Sequence, residues 1–277
     1  MALIGTVPAD WPDVRGGGAG LNFYVDGKDS NQTSIIQQYG SACWNGIING
    51  ATWSSEGGGS WYFDGSNDRV VFGSDATTAS QSDSTHTYDF SNVNSGHVQM
   101  VCDAWINPST IAGGKVILSK RTDNNNWPRW EIKVNNTNSF DCDMSGGGYG
   151  SSLMYSSGND NILSTGTWSH IGWSFTQGGP GASSNSYSNR TLWLNGVKIT
   201  TGRTFYNSQR NDPGGSNRPF TMGNVVDGST WNAHWYHGYI AIVRLYSCQA
   251  GSTSEKRMFN ENIIKLHYER ERARFGV

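Results

Sequence analysis

Hydrolysis of a glycosidic bond needs two carboxylates about 5–10 Å apart across the scissile linkage, so the acidic residues are weighed first. Glutamate is scarce: only Glu56 and Glu131 precede Glu255. Asp141-Cys142-Asp143 would put two carboxylates on one strand face, but it lies in a Gly/Ser/Asn-rich stretch of loop character. Nucleophilic hydrolysis lacks its signatures too. There is no G-x-S-x-G, and Cys43, Cys102, Cys142 and Cys248 have no nucleophile motif beside them. Gly57-Gly58-Gly59 and Gly146-Gly147-Gly148 lack the lysine and the following helix of a phosphate loop. His234 and His237 stand three apart, flanking Trp235 and Tyr236, yet two histidines seldom hold a metal without a third ligand. No catalytic residue is assigned, and the expectation is a protein that binds or assembles.

The elements that would position any site are β-strands. The 277 residues include 36 Gly, 12 Trp, 12 Tyr and 10 Phe, with abundant Asn and Ser, which suits strands joined by turns. Val98, Met100, Cys102, Ala104 and Ile106 alternate against Gln99, Asp103 and Asn107 with period two, the pattern of a half-buried strand. Leu21–Val25, Ser60–Phe63, Arg69–Phe72, Val116–Lys120, Trp130–Val134 and His170–Phe175 read as further strands. Thr191–Leu194 and Val197–Ile199 flank Asn195-Gly196, a strong hairpin signal. Tyr239–Tyr246 is apolar on both faces, as a central strand would be. Ser74–Ser95, Asn135–Asp160, Gly178–Asn189 and Arg203–Pro219 read as long loops, of the kind that carry function.

At the end the period changes. Ser252-Thr253-Ser254-Glu255 is a capping box, and Met258, Phe259, Ile263 and Leu266 recur at helical spacing, predicting one helix over roughly 253–270. Arg270, Arg272 and Arg274, interleaved with Glu269 and Glu271, read as a solvated helix face. Residues 1–20, with Pro8, Pro12 and Gly16-Gly17-Gly18, read as an extended arm. The fold expected is all-β: a two-sheet antiparallel jelly-roll sandwich over 21–250, with a C-terminal helix and tail over 251–277 packed on it.

Charge and cysteine usage narrow the partners. A formal net charge of −2 and 15% charged residues give no field suited to nucleic acid. The N-terminus has neither the basic nor the apolar region of a signal peptide, and no window approaches the ~18 apolar residues of a membrane span. The four cysteines include no CxxC pair, so zinc and thioredoxin-like readings fail on spacing. Buried free thiols are expected, and disulfides stay open.

In order along the chain stand WYFDGSNDRVVF (61–72), VCDAWINP (101–108), VILSKR (116–121), WEIKV (130–134), WSHIGWSF (168–175), LWLNGVKI (192–199) and HGYIAIVRLYS (237–247). With these the chain resembles the laminin G-like, concanavalin A-like jelly-roll superfamily over about residues 20–250. The start LNFYVDGKDS, the region CWNGIINGATW, and the terminal Arg274-Phe275-Gly276-Val277 are similar to stand-alone laminin G-like proteins of tailed-bacteriophage virions. That resemblance implies a virion structural protein: a capsid decoration or fibre, or a neck or tail appendage. Other virion proteins, further copies of itself and a host-surface glycan would be its partners. A free carbohydrate-binding lectin or adhesin is the alternative. A polysaccharide-degrading enzyme is less favoured, because the Glu-x-Asp-x-x-Glu strand of the superfamily's glucanases is absent.

The resemblance also implies where ligands would sit. Superfamily members often hold calcium on the sandwich rim, and Asp64, Asn67 and Asp68 offer oxygens in one turn, so a structural calcium ion is an option and no cofactor is required. The rival is an Asx-type turn bonded to its own backbone. Trp127, Trp130, Tyr149, Tyr155, Trp231 and Tyr236 lie in or beside the long loops, where sugar contact and subunit contact are both open to them.

Overall fold

The computed structural model describes residues 19–29, 35–36, 45–72, 99–111, 114–121, 128–135, 138–144, 152–156, 161–176, 189–199, 203–205, 219–227, 230–231, 234–248 and 253–277. In chain order the strands begin with β1 (Ala19–Asp26), β2 (Ile35–Ile36), β3 (Gly46–Asn49), β4 (Thr52–Ser54), β5 (Ser60–Asp64) and β6 (Arg69–Phe72). Next come β7 (Gln99–Pro108), β8 (Lys115–Arg121), β9 (Pro128–Val134), β10 (Phe140–Met144), β11 (Ser152–Ser156) and β12 (Ser169–Thr176). The series ends with β13 (Asn189–Leu194), β14 (Val197–Lys198), β15 (Arg203–Phe205), β16 (Phe220–Met222), β17 (Val226–Asp227), β18 (Thr230–Trp231) and β19 (His237–Cys248), then the helix α1 (Thr253–Phe275).

Two antiparallel sheets face each other. One runs β14-β13-β12-β7-β19-β5-β4, with β1 pairing the C-terminal half of β19. The other runs β15-β11-β10-β9-β8-β16-β6-β3-β2, and β17 and β18 form a small ribbon. The expected all-β jelly-roll sandwich with one C-terminal helix is what the described residues form. Between the sheets lies an apolar core of alternate residues, among them Cys102, Ala104 and Ile106 from β7, Ile171 and Trp173 from β12, and Val243 and Leu245 from β19. Each large apolar side chain so buried contributes about 1.5–3 kcal/mol. β19 is the central strand anticipated, bonded to β7 on one side and to β5 and β1 on the other. A bulge between Ile240 and Ile242 shifts its register. Ile240 and Val243 therefore both reach the core, while Ile242, Arg244 and Tyr246 turn to the opposite face.

Three sequence expectations need correcting here. Arg203–Pro219, read as loop, opens with strand β15, which pairs with β11. Asn135–Asp160, read as loop, contains β10 and β11, so Asp141-Cys142-Asp143 is strand, with Cys142 in the core. Phe140, Cys142 and Met144 do alternate against Asp141 and Asp143, but each strand is only five residues long and is flanked by Gly, Ser and Asn, which gave the stretch its loop character. Of the expected arm, Ala19 and Gly20 begin β1, and residues 1–18 lie outside the described residues. Cys102 and Cys142 are buried free thiols; the placement of Cys43 lies outside those residues, as does the side chain of Cys248. No helix among the described residues is long and apolar enough to cross a membrane.

The helix runs to Phe275, five residues beyond the expected end; of the run read as a solvated face, Glu269, Arg270 and Arg272 are exposed as expected, whereas Glu271 and Arg274 turn to the sheet. Ile263, Ile264 and His267 are buried against the outer face of the first sheet. Phe275 stacks on Trp105 with ring centroids 4.1 Å apart and meets Trp168 at 4.8 Å. Arg274 donates to the carbonyls of Gly57 and Gly59 at 2.7 and 2.9 Å and pairs with Asp26 at 2.8 Å. Gly276, at φ 72°, ends the helix, and the Val277 N–H returns to the Arg272 carbonyl at 3.2 Å. Of the charged run, Arg272 and Glu269 do form an exposed ion pair, at 3.2 Å.

Beneath α1 lies a sealed charge cluster. Asp103 of β7 has no exposed side-chain surface and accepts from Arg244 Nη1 at 2.8 Å, His267 Nδ1 at 2.8 Å and His170 Nε2 at 3.2 Å. Arg244 also pairs with Glu271, whose carboxylate accepts from Trp105 Nε1 at 2.7 Å. With Nδ1 donating to Asp103, His267 Nε2 accepts from the Tyr246 hydroxyl at 3.2 Å. Burial alone would raise the Asp103 carboxyl, but His267 and Arg244 and the hydrogen bonds of both imidazoles hold it well below the usual carboxylate range. Burial holds the His267 imidazole below its ordinary value, with Arg244 adding to the effect and Asp103 opposing it.

Both groups take up protons more readily in the unfolded chain, so acid favours unfolding. The stability they add is complete above about pH 6.5 and falls below it through His267, then again below about pH 4 through Asp103. Thermal melts followed by tryptophan fluorescence are expected to give a flat Tm above roughly pH 7 and a decline starting near pH 6.5. His267→Gln should abolish that first decline; a Tm independent of pH down to about 5 in the unmodified chain contradicts the assignment. Phe275→Ala is expected to cost about 3 kcal/mol in denaturant unfolding, and a cost under about 1 kcal/mol would show that the helix end is not an anchor.

Candidate functional site

The charge cluster under α1 is too well sealed to meet a ligand: Asp103, His170, Arg244 and His267 are all buried. An open, polar surface is found instead at one rim of the sandwich. There β7 ends at Pro108, β12 begins at Ser169, β19 begins at His237 and β5 ends at Asp64, neighbouring ends of four adjacent strands. Gly238, at φ 137°, makes this corner possible, since a Cβ there would stand 2.3 Å from the Asn107 carbonyl oxygen.

An open cleft of about 530 Å³ sits on this rim, lined by Ser109, Thr110, Ile111, Asn138, Asn161, Leu163, Ser164 and Thr165. Three segments build it. The residues after β7 are tied down by Ser109 N–H donating to the His237 carbonyl at 2.9 Å. The turn between β9 and β10 is closed by Asn135 N–H to the Ser139 carbonyl at 3.0 Å. The segment before β12 is pinned by Leu163 N–H to the Asn138 carbonyl at 2.8 Å and Gly166 N–H to the Pro108 carbonyl at 2.9 Å. Across the cleft the Asn138 and Asn161 amides bond to each other at 2.7 Å. Ile111 and Leu163 belong to the core and form the floor beneath the hydroxyl and amide groups. The described residues of this lining donate and accept hydrogen bonds and include no carboxylate to move a proton.

The residues singled out in the sequence are placed otherwise. Trp130 is buried and packs on Phe220 at 5.2 Å. Tyr236 is buried as well, donating to the Tyr239 carbonyl at 3.2 Å, and burial pushes its hydroxyl well above the usual tyrosine value. A ring with no exposed surface can stack on neither a sugar nor a subunit, so both are corrected to core residues. Each continues an inward alternation that, read in the sequence alone, looked like a loop margin. Tyr155 pairs with Asp141 and Thr204, and Trp231 pairs with Val226, while the side chains of both lie outside the described residues. Trp127 and Tyr149 lie outside them altogether.

The Asp64–Asp68 turn satisfies itself. Asp64 Oδ1 accepts from Ser66 N–H at 2.8 Å and Asn67 N–H at 3.4 Å, and Asp68 Oδ2 accepts from Asp64 N–H at 2.8 Å. Burial raises the Asp68 carboxyl, opposed by the hydrogen bond from Asp64 N–H. This is the bonding of an Asx-type turn. Among the described residues no group of three or more His, Cys, Asp or Glu is placed to hold a metal ion. His237 Nε2 lies 3.0 Å from the Tyr62 hydroxyl, and His234 contributes its backbone carbonyl to Val116 N–H. Nothing in the sequence marks the cleft residues as a site, because Ser, Thr and Asn at strand ends are also ordinary turn chemistry.

Comparison with known proteins bears on the fold. The binding domain of Paraclostridial Mosquitocidal Protein 1 superposes with a TM-score of 0.53 at 16% identity, covering 90% of this chain and 52% of that one. The botulinum neurotoxin serotype D binding domain gives 0.52 at 10% identity, covering 91% and 51%. Trypanosoma rangeli sialidase in complex with sialic acid gives 0.53 at 14% identity, covering 88% and 33%. The chain thus spans about half the length of the two binding domains and a third of the sialidase. No curated protein matches it in sequence. Residues 82–254 match the Laminin_G_3 family, more than half of the chain, and with the two-sheet antiparallel sandwich this establishes that it belongs to the Concanavalin A-like lectin/glucanases superfamily.

Proposed function

We propose that this chain is a glycan-binding module that docks a bacteriophage particle on host-surface carbohydrate, and that it binds without cleaving. The observation that carries the binding is the rim cleft, where hydroxyl and amide side chains stand together at the ends of anchored strands. Sugars present the matching groups: hydroxyls that donate and accept. Hydrolysis would ask for a carboxylate pair, and the described residues of the cleft's lining supply none. The virion setting rests on the sequence resemblance at both ends of the chain, and a free lectin would use the same cleft in the same way. The reading needs no bound calcium, in keeping with the closed Asp64–Asp68 turn.

A glycan array with the protein multimerised on beads, with and without EDTA, tests this, since avidity makes single weak sites visible. Saturable binding that persists in EDTA, with no release of reducing sugar from the bound glycans, is the expected result. Loss of binding in EDTA would instead assign an ion to Asp64, Asn67 and Asp68. Silence from a folded sample would overturn the binding role and leave a scaffold or decoration protein.

A further inference from the structure

The cleft's two asparagines say more about its ligand. Asn138 and Asn161 both hold left-handed backbone, at φ 57° and 36°, a conformation that asparagine tolerates better than most residues. Their amides bond each other at 2.7 Å, and the Asn138 carbonyl is taken by Leu163 N–H, so both side chains are fixed before any ligand arrives. One amide oxygen and one NH2 group of the pair have no partner among the described residues, whichever way the two amides are oriented. Asn161 is exposed and Asn138 half-buried, and both line the cleft.

The rest of the lining has the same double character. Ser109, Thr110, Ser164 and Thr165 carry hydroxyls, which both donate and accept. None of the described residues lining the cleft carries a cation. A carboxylate-bearing sugar only accepts at its charged group, and setting that group here would strip its water with no opposite charge in return. A neutral sugar's hydroxyls meet each lining group as donor or acceptor and lose nothing by the exchange. Resting on the glycan-binding reading above, we infer that the cleft selects uncharged glycans over sialylated or uronate-bearing ones, with the Asn138–Asn161 pair as its specificity device.

Paired glycans of the same core, one neutral and one capped with sialic acid or glucuronic acid, are compared for binding to the full chain. The neutral member is expected to bind at least tenfold tighter. Asn161→Asp keeps the acceptor for Asn138 and a residue tolerant of left-handed backbone, but removes the free NH2 and adds a negative charge. It is expected to weaken neutral-glycan binding about tenfold with an unchanged Tm. Ser164→Ala, at an exposed position, gives a second reading on the same wall should Asn161→Asp lower the Tm, with a loss of about threefold expected. Equal or tighter binding of the acidic member overturns the selectivity and leaves the glycan reading standing. Binding unchanged in both variants moves the site away from this cleft. Binding of neither member overturns the glycan reading itself.

Discussion

Asp103 is a carboxylate with no exposed surface in the middle of a sheet, and the arrangement around it depends on answering that charge. An ion moved from water to a protein interior loses several kcal/mol of hydration unless partners replace it. Here the partners come from three elements: His170 from β12, Arg244 from β19 and His267 from α1. Glu271, from the next turn of the helix, balances the second arm of Arg244 and takes the Trp105 indole proton as well. Apolar contact is indifferent to small rotations and slides, whereas these bonds are directional. The helix is therefore held to the sheet in one register by hydrogen bonds, and the stacking of Phe275 on Trp105 and the reach of Arg274 to β1 follow from it.

That constraint extends to the rim. The strands joined through Asp103 are β7, β12 and β19, and their adjoining ends carry the cleft segment Ser109–Ile111, the run into Ser169, and His237. Side chains borne on the ends of well-anchored strands are held more closely than those on free loops. The backbone bonds from Ser109 to His237 and from Gly166 to Pro108 carry the same order outward by a few residues. The helix closes one face of the first sheet and the second sheet closes the other, which leaves the strand ends as the place where binding groups can stand exposed on rigid support.

The sequence revealed the frame better than the details. Period-two alternation located β7, β12 and β19, and Asn195-Gly196 located the β13–β14 hairpin, because each is a local rule with a strong physical cause. β10 and β11 were hidden, since two five-residue strands set among Gly, Ser and Asn present too short an alternation to stand out from the turns around them. The end of α1 was misread for another reason. His267, Glu271 and Arg274 look like solvent-facing residues until β7, β19 and the turn at Gly57–Gly59 provide their partners. Asp103 itself stood among polar residues on the open side of a half-buried strand, and only the fold shows that side to be covered. The candidate site was least legible: Trp130 and Tyr236 proved to be core, and nothing local sets Asn138 and Asn161 apart from the many other asparagines of the chain.

Membership of the superfamily leaves function to the site, because one fold serves lectins and glucanases alike. The cleft's neutral hydrogen bonds are each worth about 0.5–1.5 kcal/mol net of water. Four or five of them would amount to roughly 4–6 kcal/mol, which corresponds to a dissociation constant between about 1 mM and about 40 μM. A single such domain would hold a cell surface only briefly. Many copies on one particle would convert the same cleft into firm attachment, since each further contact is made at high local concentration. A weak, uncharged and preorganised cleft on a rigid sandwich is therefore better matched to repeated display on an assembly than to work as a lone receptor, and the proposed virion setting supplies that repetition.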